Sequence, residues 1–445
     1  MQEKKIAPNL AFDVAILGGG ITGLVAAHRL TKAGKKVVLF EKSLFFGGLA
    51  QGFYGDRWEW PLEYAYHHLF ASDTDFLDLA RELGVEMLFR SPSTSSLYEV
   101  DGALKTFRVD TPLDLLKFPL LSLIDRLRFG ATLFFLKLSP FISRIYESQT
   151  LIDFMHKTAG DRAYQTMFGS IMKKKYGKYA EKILASFIWT RINKRSPSLG
   201  YPSGGFQHLV DVLVGKLQDG GVVLHAGANI DSLVKTPDRF SVTVSGIDGP
   251  LTSNQVISTL PTPVMNKVCG PVLSSTEIER LNKLEYLWAT TLVVETDVPI
   301  LDQTYWLSLC TETIPGLVMV QHTNYMDKEK YAGHHLLYIG NYIEDGDHLL
   351  TMSASETLAL YMPHLQKLHP SPFQIHKIYH FKAPYAQPIF DATFIQNKPD
   401  FITSTPGFII ANLDMTYPYD RGTNYAVKLG NKAAQLILSG TNMKN

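Results

Sequence analysis

Gly18, Gly20 and Gly23 stand at the spacing that lets a backbone turn tightly, approach a pyrophosphate and pack a helix against a strand. A helix opening at Ile21 and Thr22 would aim free N–H groups and the positive end of its dipole at that phosphate. Glu41, followed by Lys42, ends a second apolar run, Val37 to Phe40. An acid there accepts hydrogen bonds from ribose hydroxyls and repels a 2′-phosphate, so the ligand reads as FAD or NAD rather than NADP. The elements that must hold these residues are legible around them. Val14 to Leu17 suits a buried parallel strand, Leu24, Ala27, Leu30 and Ala33 recur at helical spacing, and Gly34 closes the helix before the second strand. Val14 to Glu41 is thus a complete βαβ unit.

Two further constellations follow. Gly47-Gly48-Leu49 comes soon after Glu41, and paired glycines allow backbone to pass close beside a cofactor. Near the other end, Ala411 to Ala426 couples an apolar strand to a helix start, a second anion site for the same pyrophosphate. Residues able to do chemistry lie beside both. His67 and His68 are candidate bases because imidazole titrates near neutrality, the alternative being one core and one surface histidine. Tyr417 and Tyr419 are candidate aromatic walls that stack a substrate, or else pack their own loop. Lys173-Lys174-Lys175 reads as a solvated helix end before it reads as a contact for a phosphorylated substrate.

The three glycine-centred pieces, in this order, resemble the flavin-containing amine oxidase superfamily. That group also holds protoporphyrinogen oxidase, phytoene-type desaturases and, more distantly, UDP-galactopyranose mutase. Gly18, Gly20, Gly23 and Glu41 fit its FAD-binding start, and Gly47 and Gly48 fit its Glu-x5-Gly-Gly signature. The resemblance implies that Gly221 to Leu233 forms a strand pair whose backbone, around Ile230, contacts adenine. It also implies that Asp414, Arg421, Gly422, Thr423 and Asn424 sit by the pyrophosphate, ribityl chain or flavin edge, and that the His67–His68 loop reaches the flavin. Relatives with a covalent flavin carry a cysteine in the C-terminal motif. None occurs here beyond Cys310, so noncovalent FAD is expected.

The expected fold is α/β: a discontinuous Rossmann-like FAD-binding domain over 1–90, 200–265 and 390–445, with a helix-rich α+β substrate domain over 91–199 and 266–389. The implied function is an FAD-dependent oxidoreductase that passes a hydride from an amine or another C–H donor to flavin N5. Dioxygen, a quinone or another diffusing acceptor would reoxidise it. A redox-neutral enzyme of the mutase kind and a flavin-bound protein without catalysis are the alternatives.

Composition bounds the partners. Forty-three Lys and Arg against 42 Asp and Glu give a formal charge of +1, so no global field recruits nucleic acid. Cys269 and Cys310 are too few and too far apart for a disulfide framework or a zinc site, and no metal is expected. Met1 to Asn9 is polar and lacks the apolar core of a signal peptide, giving a cytoplasmic expectation. The greasiest stretch, Pro112 to Ile145, is broken by charges too often to span a membrane. It reads as core helices, or as a peripheral membrane face or greasy substrate entrance. The substrate is then a small molecule, lipophilic or nucleotide-linked, and the oligomeric state stays open.

Overall fold

The computed structural model describes residues 11–440, and the Met1 to Asn9 segment lies outside them. Val14 to Leu17 are at most 1% exposed, because a parallel strand in mid-sheet is covered on both faces. Their strand, Ala11–Leu17, pairs in parallel with Val37–Phe40 on one side and Leu251–Ser258 on the other. Val223–His225 extends the sheet beyond Val37–Phe40. Phe408–Ile410 lies parallel to the second half of Leu251–Ser258, whose first half meets antiparallel Phe240–Val244, flanked in turn by antiparallel Ile230–Lys235. Three stretches far apart in sequence therefore build one sheet. The helices Ile21–Lys32, Gly205–Asp219 and Thr423–Leu438 contribute buried faces to its core.

One expectation fails here. Val223–His225 and Ile230–Lys235 do not pair with each other, since each finds a different partner in the sheet. The turn between them still reaches Glu41, whose carbonyl accepts from the Ala228 N–H at 2.8 Å, just ahead of half-buried Ile230.

A second seven-stranded sheet runs in the order Ile375–Pro388, Tyr286–Thr296, His335–Ile343, Val318–Gln321, Thr304–Leu309, Ser93–Val100 and Ala103–Phe107. Its neighbours are antiparallel except Thr304–Leu309 beside Ser93–Val100. Between residues 112 and 194 the chain is helical in short pieces, as the apolar periodicity requires. Thr111, Ser122 and Thr150 start three of these helices by accepting the N–H three residues on, each such cap contributing about 1 kcal/mol. These helices enclose a core of their own around Phe129, Tyr146, Phe154 and Trp189. Among the described residues, no helix is long and apolar enough to cross a membrane. A small sheet of Leu69–Phe70, Leu199–Pro202 and Met87–Arg90 anchors the histidine loop to the turn at Ser203-Gly204.

Candidate functional site

The candidate phosphate loop follows from local chain geometry. Gly20 precedes the helix Ile21–Lys32 in extended conformation and no side chain caps the helix, so its first N–H groups are available to an anion. Ile21 and Thr22 are buried. A Cβ on Gly23 would overlap the Gly18 carbonyl oxygen, backbone against backbone, so only glycine lets the helix sit this close to the strand it leaves. Gly47 donates its N–H to Gly19 O at 2.9 Å and bridges to Gly20. Gly48, at φ +60, would bring a Cβ to 3.0 Å from the Gly20 Cα. The two glycine motifs are thus a single packed unit, with Leu49 and Lys42 exposed at its edge.

Glu41 braces that unit. Its carboxylate accepts from the Gly19 N–H at 2.7 Å and the Ser43 N–H at 2.8 Å, which fixes both oxygens beside the loop. Each oxygen keeps a second lone pair for a ribose hydroxyl. Glu41→Ala is expected to weaken FAD binding by about 10- to 100-fold, the range of one or two hydrogen bonds to a charged group. Fluorescence titration of the flavin-free variant measures it, and Glu41→Gln, which keeps one acceptor, should fall between.

The C-terminal motif divides into parts. Asp414 is 1% exposed, and its Oδ2 accepts from Thr262 Oγ1 at 2.5 Å and Tyr286 OH at 2.7 Å. Burial pushes its carboxyl up to about 6 against those hydrogen bonds. Asn412 donates to Leu260 O and Thr262 Oγ1. The Oδ1 atoms of Asp414 and Asn412 have no partner among the described residues, which leaves two buried acceptors in a segment joined to the phosphate loop through Leu260 and Thr259. Gly422 and Thr423 form the uncapped start of the final helix. Asn424 is engaged elsewhere, because its Oδ1 accepts the Phe76 N–H at 2.9 Å and so stabilises the start of the helix Thr74–Leu83.

Burial moves both histidines away from near-neutral titration. His67 donates from Nδ1 to Ala65 O at 2.6 Å, and burial, with Arg421 nearby, lowers it to about 4. His68 lies among Phe70, Tyr305 and Trp306, and burial, helped by the charges of His67, Arg195 and Arg191, takes it to about 3. His322, likewise buried, is lowered to about 3. A histidine depressed below its ordinary 6.5 contributes stability that is present above pH 6.5 and lost as pH falls toward its folded value. Glu63 and Asp414, raised by burial to about 7 and about 6, work in the opposite direction. Among the described residues His28, His225, His335, His364 and His380 are lowered by burial as well, and these histidines outnumber the raised carboxyls Glu63, Asp73, Asp211 and Asp414, so the urea midpoint should drop as pH falls from 6.5 to 4.5. His67→Asn/His68→Asn removes two of the most strongly lowered histidines, and the slope should become shallower.

Tyr417 and Tyr419 do not face the histidines either. Tyr417 packs on Phe390 and Phe394, Tyr419 stacks on Tyr425 at 4.6 Å, and both line a cleft of about 650 Å3 along the last helix. The loop-packing reading of these tyrosines accounts for those contacts.

The basic run departs furthest from expectation. Lys173 is exposed, but Lys174 turns inward to Ile314 O at 2.7 Å and burial lowers it to about 8. Lys175 is 3% exposed on the inner face of the helix Ser170–Tyr176, with Met172 and Tyr176. Its Nζ lies 3.7 Å from Asp420 Oδ2 and within 5.4 Å of the ring centres of Phe187, Tyr176 and Tyr342. Arg191 donates to the same Asp420 oxygen at 2.9 Å. Arg421 sits 4.5 Å from the Tyr342 ring and donates to Ala386 O. Burial, with the Arg191 charge, holds Lys175 well below its usual range, and burial lowers Arg421 to about 10. Desolvation opposes ionisation of Asp420, but the charges of Lys175 and Arg191 prevail and its carboxyl is lowered. Even with Lys175 as a neutral amine, Arg191 and Arg421 outnumber Asp420. A lysine within an apolar i, i+3, i+4 row was the available sequence signal.

Separated stretches of chain build one sheet with a parallel centre and leave a helix end uncapped beside paired glycines, which defines the class of dinucleotide-binding folds. Within it, this chain belongs to the flavin containing amine oxidoreductase family, whose model matches residues 21–438. A 45-residue stretch is 58% identical to thiamine thiazole synthase of Desulfosudis oleivorans, covering 10% of this chain and only 17% of that protein. Putrescine oxidase bound to putrescine superposes with a TM-score of 0.76 at 18% identity, over 97% of this chain and 100% of that one. Reduced UDP-galactopyranose mutase gives 0.72 at 16%, over 98% of each. At such identities the likeness is one of fold. The cofactor is FAD. Both thiols, Cys269 and Cys310, are free and lie outside the 411–426 motif, so the FAD is held without a cysteinyl bond.

Proposed function

We propose that this enzyme oxidises a small anionic molecule by taking a hydride from one of its C–H bonds. FAD would be held across 1–90, 200–265 and 390–445, with 91–199 and 266–389 covering the substrate. The observation that carries the reading is the excess of Arg191 and Arg421 over Asp420 beside the buried Lys175 amine, set among Tyr176, Phe187 and Tyr342. Such a cluster repels a free ammonium and suits a carboxylate or phosphate. When bound, FAD supplies the hydride acceptor at N5.

The chain's own residues orient the donor, exclude water and handle the proton. Arg421 and Arg191 anchor the anionic group. Lys175, its proton affinity reduced by burial, takes the proton released as the hydride leaves. His68 ties the loop to Tyr305 of the second sheet, and His67 closes the loop on its own Ala65 carbonyl. A nucleotide-linked donor fits this charge, and cytoplasmic residence belongs to the same reading.

The same cations favour a second reading, a redox-neutral sugar-nucleotide enzyme in which the reduced flavin hands its electrons to no acceptor. Photoreducing the protein without oxygen, then mixing it with air or with quinones, separates the two. The oxidoreductase reading expects the yellow colour to return with at least one acceptor. A flavin that stays reduced with all of them removes that reading.

A further inference from the structure

Among the described residues, half of the sixteen strongly exposed large apolar side chains lie between residues 113 and 138. On the helix Leu123–Leu138 they are Leu123, Ile124, Leu127, Phe134, Phe135 and Leu138, with Ile124 71% and Phe134 67% exposed. At 3.6 residues per turn they fill one outward arc of roughly 120°. Leu113 and Leu116 on the helix Pro112–Lys117 continue the patch. The opposite face, with Phe129, Thr132 and Leu136, is buried in the helical core, so the outer arc is not needed to hold the helix in place. A contiguous apolar patch of this kind on a protein surface marks a contact site.

Charge identifies the occupant. On the helical wheel, Arg128 and Lys137 fall on the two borders of the apolar arc, and exposed Lys117 stands on the neighbouring helix. Their hydrogen bonds, where they make them, go to carbonyls: Arg128 to Lys157 O, and Lys137 to Asn193 O and Arg195 O. The acidic residues Asp114 and Asp125 are engaged at the helix starts by Thr111 and Ser122. An apolar stripe bordered by cations is the pattern of a helix lying in the plane of an anionic bilayer surface. A second copy of the chain fits less well, because a two-fold contact would set this cation-rimmed face against itself.

We propose that the helices Pro112–Lys117 and Leu123–Leu138 dock the protein peripherally on anionic lipid. Co-sedimentation of the full chain with vesicles tests it, comparing phosphatidylcholine alone with phosphatidylcholine containing phosphatidylglycerol. The chain should pellet with the anionic vesicles and remain in solution with the neutral ones. Ile124→Asp and Phe134→Asp, both at exposed positions, should each lower the bound fraction on the order of tenfold while circular dichroism stays unchanged, and Arg128→Glu should act similarly. Wild-type protein left in solution with anionic vesicles overturns the proposal, as does binding indifferent to both aspartate variants. A concentration-dependent dimer in sedimentation velocity that Ile124→Asp abolishes also overturns it, by assigning the face to a second copy.

Discussion

Gly23→Ala is expected to yield a colourless protein. The added methyl meets the Gly18 carbonyl oxygen, which belongs to the loop proposed to cradle the phosphates, and neither partner is a flexible side chain. Relief requires the helix Ile21–Lys32 to move off the strand Ala11–Leu17, carrying its uncapped N–H groups away from the anion. Overpacking of this kind costs about 1–3 kcal/mol of stability. The loss of FAD affinity should be larger, on the order of 100-fold or more, since several backbone donors are displaced together. Gly215→Ala, inside the helix Gly205–Asp219 where a methyl meets open space, is the matched control and should stay yellow. Absorbance of the purified proteins and the temperature at which flavin is released read both effects.

Lys175→Met should leave the protein yellow and nearly inactive. Methionine keeps much of the apolar stem against Phe187 and Tyr342, and Asp420 retains Arg191 at 2.9 Å, so folding loses little. Removing a positioned proton acceptor costs about 10²- to 10⁴-fold in the chemical step. The loss should appear in kcat. Arg421→Met should instead raise KM, because it withdraws an anchor for the anionic group. A variant at Lys175 that lost flavin and activity together would assign the lysine to folding.

The parts of this protein legible in sequence are those whose physical demands are local. Gly23 answers to the Gly18 carbonyl five residues before it, and Glu41 accepts from Ser43 two residues on, whereas the close neighbours of Gly18 and Gly20 are distant Thr259 and Gly48. The paired glycines at 47 and 48 are readable as a close approach, although their contact with Gly19 and Gly20 arises only in the fold. What sequence hides depends on distant partners. His67 and His68 look titratable until Tyr305, Trp306 and Phe206 enclose them. The Asn424 side-chain oxygen accepts from Phe76 at the start of another helix, a partner that nothing near it in sequence announces. Lys175 looks solvated at the end of a basic run, but the helices Ser170–Tyr176 and Ser186–Lys194, the strand His335–Ile343 and the loop at Asp420 converge on it. Val223–His225 and Ile230–Lys235 are close in sequence, yet each pairs elsewhere because the sheet offers a buried parallel edge to one and an antiparallel neighbour to the other.

In the proposed reaction an anionic donor gives up a hydride beside Lys175, Arg191 and Arg421. Its most direct test is anaerobic mixing of the oxidised, yellow protein with small-molecule fractions separated by charge, followed at the flavin's visible band. Bleaching by an anionic fraction is the expected result, slowed at least about tenfold in Lys175→Met. Bleaching by a cationic amine fraction, with Lys175→Met as fast as the unaltered chain, would contradict it.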